Sequence, residues 1–178
     1  VASMHLKNTP MLVDPSPENA VKFAITAEEM GAVAYRRLAE KFNEDEVIHD
    51  TFVQLASDED DHADLYRSLL KNVEGKGTNG DSDQWGLLQA MATSSFFTPG
   101  SVFGKSIDEI ESRDDALQGA LEMEKATLGF YRALNDVLGG NDTVTQLIET
   151  ERSHVLAVMR CLVTGSKFRG IADAPPVF

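Results

Sequence analysis

Cysteine and positive charge are both scarce in this sequence of 178 residues. Its single cysteine, Cys161, excludes an intramolecular disulfide, a Cys-x-x-Cys redox pair and a zinc site built from cysteines. Lys and Arg number 16 against 29 Asp and Glu, which gives a formal net charge of -13 at pH 7. A surface of that sign repels phosphate backbones and anionic headgroups, so neither nucleic acid nor a membrane surface is an expected partner.

Long hydrophobic runs are also missing. No segment approaches the roughly 20 apolar residues that a membrane-spanning helix needs, and the chain does not open with a basic and then apolar signal peptide. Hydrophobic residues still make up 42% of the sequence and charged residues 25%, which is typical of a globular protein. We therefore expect a single domain over residues 1–178, located in the reducing cytoplasm.

Start and stop signals predict two long helices in the first half of the chain. The first begins at Ser16, a capping serine followed by proline, and runs to about Phe42. The second follows a capping box at residues 43–46 and reaches about Lys71. Apolar residues recur at steps of three and four rather than two almost throughout, so no strand is expected.

Two more long helices are predicted in the second half. Successive start signals at residues 106–109 and 112–115 open the third helix, which ends at Leu138. The glycine pair at 139–140 supplies the left-handed stop. The fourth helix runs from Asn141 to about residue 164.

The remaining segments connect or follow these helices. Residues 73–83 are glycine-rich and polar, so we expect a loop, followed by a short helix over 84–95 and a turn at Pro99. Residues 166–178 form a tail, predicted to be a surface strap. The predicted fold is an all-α four-helix bundle over about residues 16–165, made of two antiparallel hairpins joined by a crossover of roughly 40 residues.

The two predicted hairpins repeat one pattern, with the turn of the second expected to be four residues shorter. A step of 96 residues carries the inward face of the first helix onto that of the third, and a step of 92 carries the second onto the fourth. Each apolar face is interrupted by a glutamate, and two faces add a histidine three residues on. These residues are Glu28, Glu59, His62, Glu124, Glu151 and His154.

The six polar residues are predicted to meet at one level of the bundle. Glu28 lies about as far before the first turn as Glu59 lies after it, and the second hairpin repeats this arrangement. Burying four carboxylates costs several kcal/mol for each unpaired charge, and no lysine or arginine lies on these faces. Two divalent cations would neutralise them. Carboxylate and imidazole ligands without thiolate suit iron or manganese.

The two Glu-x-x-His pairs and the two lone inward glutamates give the chain a resemblance to the rubrerythrin diiron domain of the ferritin-like superfamily, over residues 18–165. The resemblance implies a ferritin-like bundle with two iron ions, or manganese instead. Glu59 and Glu151 would bridge the metal ions. The terminal ligands would be Glu28, His62, Glu124 and His154. Tyr35 and Tyr131 match tyrosines that hydrogen-bond to ligand carboxylates, with plain core packing as the alternative for both and for Tyr66.

Two departures from the family pattern affect the expected reaction. Members of full length carry a rubredoxin-type iron site with paired Cys-x-x-Cys motifs, whereas this sequence has one cysteine, so an external electron donor is expected. Peroxidase-type members also have an extra inward glutamate on the third helix, where Leu121 or Thr127 stands here. Gly31 either leaves room for a small oxidant or allows close helix packing. The acidic run at 58–61 is interpreted mainly as helix surface.

The resemblance implies an oxidoreductase whose diferrous site reduces hydrogen peroxide or dioxygen. The alternatives are a ferroxidase that handles iron, a diiron or dimanganese hydroxylase or catalase, and a bundle that binds metal without catalysis. Pairing into a homodimer is common in the family, although no exposed apolar stripe in this sequence argues for it independently.

Overall fold

The computed structural model describes residues 16–75, 82–95 and 107–172, with side chains described except at 93–95 and 165–172. These residues form five α-helices and a 3₁₀ turn, and no strand occurs among them. The elements are α1 (Pro17–Lys41), α2 (Glu46–Val73), α3 (Ser82–Ser95), the 3₁₀ turn (Ile107–Glu109), α4 (Arg113–Val137) and α5 (Asp142–Ala172). No helix in the described ranges is long and apolar enough to cross a membrane.

The four long helices pack as two hairpins. Helix α1 lies along α2, α4 lies along α5, and the hairpins meet through contacts of α2 with α5 and of α1 with α4. The short helix α3 belongs to the connection between the hairpins and packs on α4. The structure thus confirms the all-α, ferritin-like bundle. The turn expected at Pro99 and the last residues of the tail, 173–178, lie outside the described residues.

The helix starts follow the capping signals of the sequence. The Ser16 side chain accepts a hydrogen bond from the Asn19 backbone N–H at 3.2 Å, and Asp45 accepts one from Ile48 at 3.2 Å. Each bond satisfies a backbone donor that has no partner within its own helix. At the third long helix the first start signal forms the 3₁₀ turn, and Ser112 in the second signal caps α4.

The turn between α4 and α5 also forms as predicted. Gly139 and Gly140 have φ angles of 72° and 83°, a left-handed conformation that favours glycine. The side chain of Asn141 then accepts hydrogen bonds from the backbone N–H groups of Thr143 and Val144, at 3.0 and 3.2 Å, and so caps α5.

Two helix ends differ from the predictions. Helix α2 extends to Val73, which is buried in the core, so the loop begins later than expected. Helix α5 extends to Ala172 rather than ending near Thr164, so most of the predicted strap is helical. A lone glycine at position 165 weakens a helix by about 1 kcal/mol but does not stop it, and the next proline lies beyond residue 172.

The prediction that the second turn is four residues shorter than the first was wrong. Both connections contain four residues, 42–45 and 138–141. The difference instead lies in the helices. Helix α2 begins 13 residues before Glu59, whereas α5 begins 9 residues before Glu151, so α2 carries about one additional helical turn at its start.

Buried hydrophobic side chains form two clusters, separated along the bundle axis by a polar layer. The first cluster joins the start of α1 and the end of α2 with α3 and includes Tyr66 and Tyr131. The second cluster joins the end of α1 with the starts of α2 and α4 and includes Tyr35 and Phe52. The glutamates and histidines predicted as ligands occupy the layer between them.

Replacing Asn141 with alanine should lower the free energy of unfolding by about 1 kcal/mol, because the two backbone N–H groups at the start of α5 lose their acceptor. Urea denaturation of the metal-free protein at neutral pH measures this change. Asn141→Asp keeps an oxygen at the same position and should retain most of the stability. An equal loss in both variants would show that the cap is not the cause.

Candidate metal centre

The structure brings all six predicted ligands together in the centre of the bundle. Helices α1 and α4 each contribute one glutamate, and α2 and α5 each contribute a glutamate and a histidine three residues later. The residues and their exposed fractions are Glu28 1%, Glu59 4%, His62 3%, Glu124 1%, Glu151 0% and His154 4%. The Glu-x-x-His spacing places both side chains of a helix on its inward face.

Their ligand atoms form two overlapping groups of four, within each of which all the atoms lie within 4.8 Å of one another. Glu28 and His62 belong to the first group, and Glu124 and His154 belong to the second. Glu59 and Glu151 belong to both groups. This is the arrangement expected of two adjacent metal positions that share two carboxylates.

Both histidines turn Nδ1 toward the carboxylates. His62 Nδ1 lies 2.9 Å from Glu151 Oε1 and 3.7 Å from Glu28 Oε2. His154 Nδ1 lies 3.4 Å from Glu124 Oε2 and 3.8 Å from Glu151 Oε2. The two imidazole rings are stacked with their centroids 5.3 Å apart. Each metal position can therefore receive one imidazole nitrogen and several carboxylate oxygens.

Many buried polar atoms of the cluster have no hydrogen-bond partner in the part of the chain that the structure describes. They are both carboxylate oxygens of Glu28 and of Glu151, Oε2 of Glu124, and Nδ1 of both histidines. Among the described side chains, the ion pairs of these six residues involve only one another and Asp58. Buried polar atoms without partners destabilise a fold, so the donor set fits divalent cations as the missing partners.

The shared carboxyls are hard to ionise in the absence of a cation. Burial raises the pKa of Glu59 well above its usual value, and repulsion from Glu28 adds to this effect. Burial likewise raises the pKa of Glu151, with repulsion from Glu124 as the next cause. Burial lowers the pKa of His154, but the Glu124 carboxylate 3.4 Å from its Nδ1 and the negative charge of Asp58 outweigh this and raise it overall.

The three buried tyrosines flank the cluster in different ways. The Tyr35 hydroxyl donates a hydrogen bond to the Glu124 carboxylate, and its ring stacks on Phe52 at 5.8 Å. The hydroxyls of Tyr131 and Tyr66 have no hydrogen-bond partner among the described residues, and their rings lie 5.0 Å apart. Tyr35 thus contacts a predicted ligand, while Tyr131 and Tyr66 contact each other. The roles of Tyr35 and Tyr131 toward a metal stay predictions.

Gly31 faces a predicted ligand. A Cβ at this position would lie 3.5 Å from the carboxyl carbon of Glu59, and the nearest atoms all belong to that side chain. A Cβ at position 31 would therefore be in ordinary van der Waals contact with Glu59. Gly31 thus borders the side chain of Glu59, and both interpretations, room for a small oxidant and close helix packing, stay predictions.

Asp58 is the residue that sequence reasoning missed. Its carboxylate Oδ2 lies 3.2 Å from His154 Nε2, the ring nitrogen that points away from the cluster. From the sequence, Asp58 was predicted to belong to an acidic run that lies mainly on the helix surface. The sequence signal that could have identified Asp58 is its position directly before Glu59. At this position the side chain of Asp58 faces α5 across the interface between the two hairpins.

The metal-free protein should lose stability as the pH rises from about 4.5 toward 8. A carboxyl whose pKa is raised by folding binds its proton more tightly in the native state than in the unfolded chain. Its contribution to the free energy of unfolding is therefore complete below the unfolded pKa of 4.5 and is lost as the pH rises through the folded pKa. Thermal unfolding at several pH values measures this trend, at roughly 2–4 °C for each kcal/mol.

The double variant Glu59→Gln, Glu151→Gln should flatten this dependence on pH, because neither side chain can ionise. Glu122→Gln, an exposed change on α4, serves as the control and should leave the dependence as it is. A metal-free protein whose melting temperature rises between pH 5 and pH 8 would contradict the electrostatic account.

Comparison with known families supports this description of the cluster. The family model for rubrerythrin matches residues 19–162, which is most of the chain and includes all six residues of the cluster. Comparisons with curated proteins and with solved structures each gave no significant match. The fold, the buried cluster and the family match lead to one conclusion: the chain belongs to the rubrerythrin family of ferritin-like diiron proteins.

Proposed function

We propose that the protein is a non-haem diiron oxidoreductase that reduces hydrogen peroxide or dioxygen with electrons from an external donor. The observation that carries this proposal is the pair of overlapping ligand groups that share Glu59 and Glu151. Membership of the rubrerythrin family supports two iron ions at this site. The cytoplasmic location and the homodimer stay predictions.

The proposed ligands divide between two metal positions. Glu28 and His62 would hold one ion, Glu124 and His154 would hold the other, and Glu59 and Glu151 would bridge them. Four glutamates carry four negative charges when ionised, which equals the charge of two divalent cations. Since metal binding keeps the ligands deprotonated, it would overcome the raised pKa values of the two shared glutamates.

Two bound ferrous ions would each supply one electron, and these two electrons with two protons would reduce one hydrogen peroxide to two waters. The surrounding residues set the conditions for this reaction. The buried carboxylates favour the more highly charged ferric state by simple Coulomb attraction. Tyr35 holds the orientation of Glu124 through its hydrogen bond. The two hydrophobic clusters exclude bulk water from both ends of the layer.

A ferroxidase that oxidises and passes on iron is the second candidate. The observation in its favour is the acidic run that borders the cluster on α2, where the side chain of Asp58 is 28% exposed and Asp61 is exposed. Negative charges leading toward a buried site attract cations. The same donor set serves both functions, so reactivity rather than metal content distinguishes them.

The wild-type protein should bind two Fe(II) or Mn(II) ions per chain, and Glu59→Ala should abolish this stoichiometry because both positions lose a shared ligand. Anaerobic equilibrium dialysis with metal analysis measures the ratio. Glu122→Ala removes an exposed carboxylate from α4 and should bind as the wild type does. Two ions bound per chain in Glu59→Ala would disprove the site assignment.

Rapid mixing of the protein loaded anaerobically with two Fe(II) should distinguish the two functions. We expect oxidation by peroxide to be about tenfold faster than by dioxygen, a difference of about 1.4 kcal/mol in activation free energy. Stopped-flow absorbance follows the ferric product. A rate with dioxygen equal to or above the rate with peroxide would instead favour the ferroxidase.

A further inference from the structure

The internal repeat allows the two metal positions to be compared residue by residue. Glu28 and Glu124 correspond, and so do the two shared glutamates and the two histidines. The residue directly before each shared glutamate does not correspond. It is Asp58 in the first hairpin and Thr150 in the second. A difference in metal affinity between the two positions should therefore originate at residues that differ between the hairpins.

Asp58 contacts the histidine of the opposite hairpin. Its Oδ2 lies 3.2 Å from His154 Nε2, and its Oδ1 accepts a hydrogen bond of 2.8 Å from Gln54 Nε2, one helical turn earlier on α2. An ionised carboxylate can only accept, so Nε2 is the nitrogen that carries the proton in this contact. In the neutral imidazole, Nδ1 then presents a lone pair to the cluster.

Thr150 does not provide the same partner to His62. Its hydroxyl donates to the backbone carbonyl of Gln146 on its own helix at 3.3 Å. Gln146 corresponds to Gln54 in the repeat, so the two helices share the glutamine and differ in the carboxylate. A carboxylate on the outer nitrogen of a metal-binding histidine fixes the ring and makes it a stronger ligand.

We propose that Asp58 is a positioning residue for His154 and makes the two metal positions unequal, so that the position formed with Glu124 and His154 takes up a divalent cation before the position formed with Glu28 and His62. This inference rests on the proposed function, since it requires two metal positions. It adds an order in which the two positions bind metal. The six ligands alone do not predict this order, because they match between the two hairpins.

Titration of the metal-free full chain with Mn(II), followed by calorimetry, tests this order. The wild type should show two binding steps whose affinities differ by about tenfold or more. Asp58→Asn, which keeps the size but removes the charge, should weaken the tighter step by about 10-fold and leave the weaker step unchanged. Asp61→Asn removes an exposed charge from the same run and should change neither step.

Two further variants identify which position each step reports. His154→Ala should remove the tighter step and His62→Ala the weaker one. Thr150→Asp places a carboxylate behind His62 and should strengthen the weaker step, which brings the two affinities together. A purely structural role for Asp58 would lower the affinities of both steps alike, whereas the proposed role lowers only the affinity of the tighter step.

An independent measurement needs no metal. Histidine ¹⁵N chemical shifts of the metal-free protein, recorded where His154 is neutral, should show its proton on Nε2, and Asp58→Ala should shift the tautomer population. Two Mn(II) bound with equal affinity, or an Asp58→Asn protein with both affinities unchanged, would overturn this inference and leave the proposed function standing. No Mn(II) or Fe(II) binding by the wild type would overturn both.

Discussion

Repulsion between four buried carboxylates is the interaction on which the rest of this structure depends. Four glutamates share one layer of the bundle: Glu28, Glu59, Glu124 and Glu151. Within the described ranges, both carboxylate oxygens of Glu28 and of Glu151 lack hydrogen-bond partners. Folding must offset this cost with the hydrophobic clusters on either side of the layer. Bound cations would be attracted to the same carboxylates that repel one another. This attraction explains why a stable fold can retain a layer of buried carboxylates that is unfavourable without metal.

The internal repeat explains how a short chain builds two metal positions. Each hairpin supplies one lone glutamate and one Glu-x-x-His pair, and the pairing of α2 with α5 brings the two shared glutamates together. The layer is therefore symmetric in its ligands although the helices are not equal in length. The additional helical turn at the start of α2 lies in the second hydrophobic cluster, away from the layer, so it leaves the ligand geometry unaffected.

The residues around the ligands are less symmetric than the ligands themselves. Tyr35 contacts Glu124, while its counterpart Tyr131 packs against Tyr66 of α2. The position of α5 that corresponds to Tyr66 in the repeat is occupied by Val158. Asp58 stands behind one histidine and Thr150 behind neither. A two-metal site gains from such differences, because metal ions in unlike surroundings differ in affinity and in reduction potential.

The sequence alone determined the fold class, the capped starts of the long helices and the six predicted ligands, because each depends on spacing along one helix. A glutamate that interrupts an apolar face at helical period must point inward, and Glu-x-x-His keeps both side chains on that face. The tertiary structure decided what lies between helices. The contact of Asp58 with His154 and the ring contact of Tyr131 with Tyr66 depend on how neighbouring helices, α2 with α5 and α4 with α2, are set against each other. No periodicity within a single helix encodes that relation, because it arises from the packing of side chains far apart in the chain.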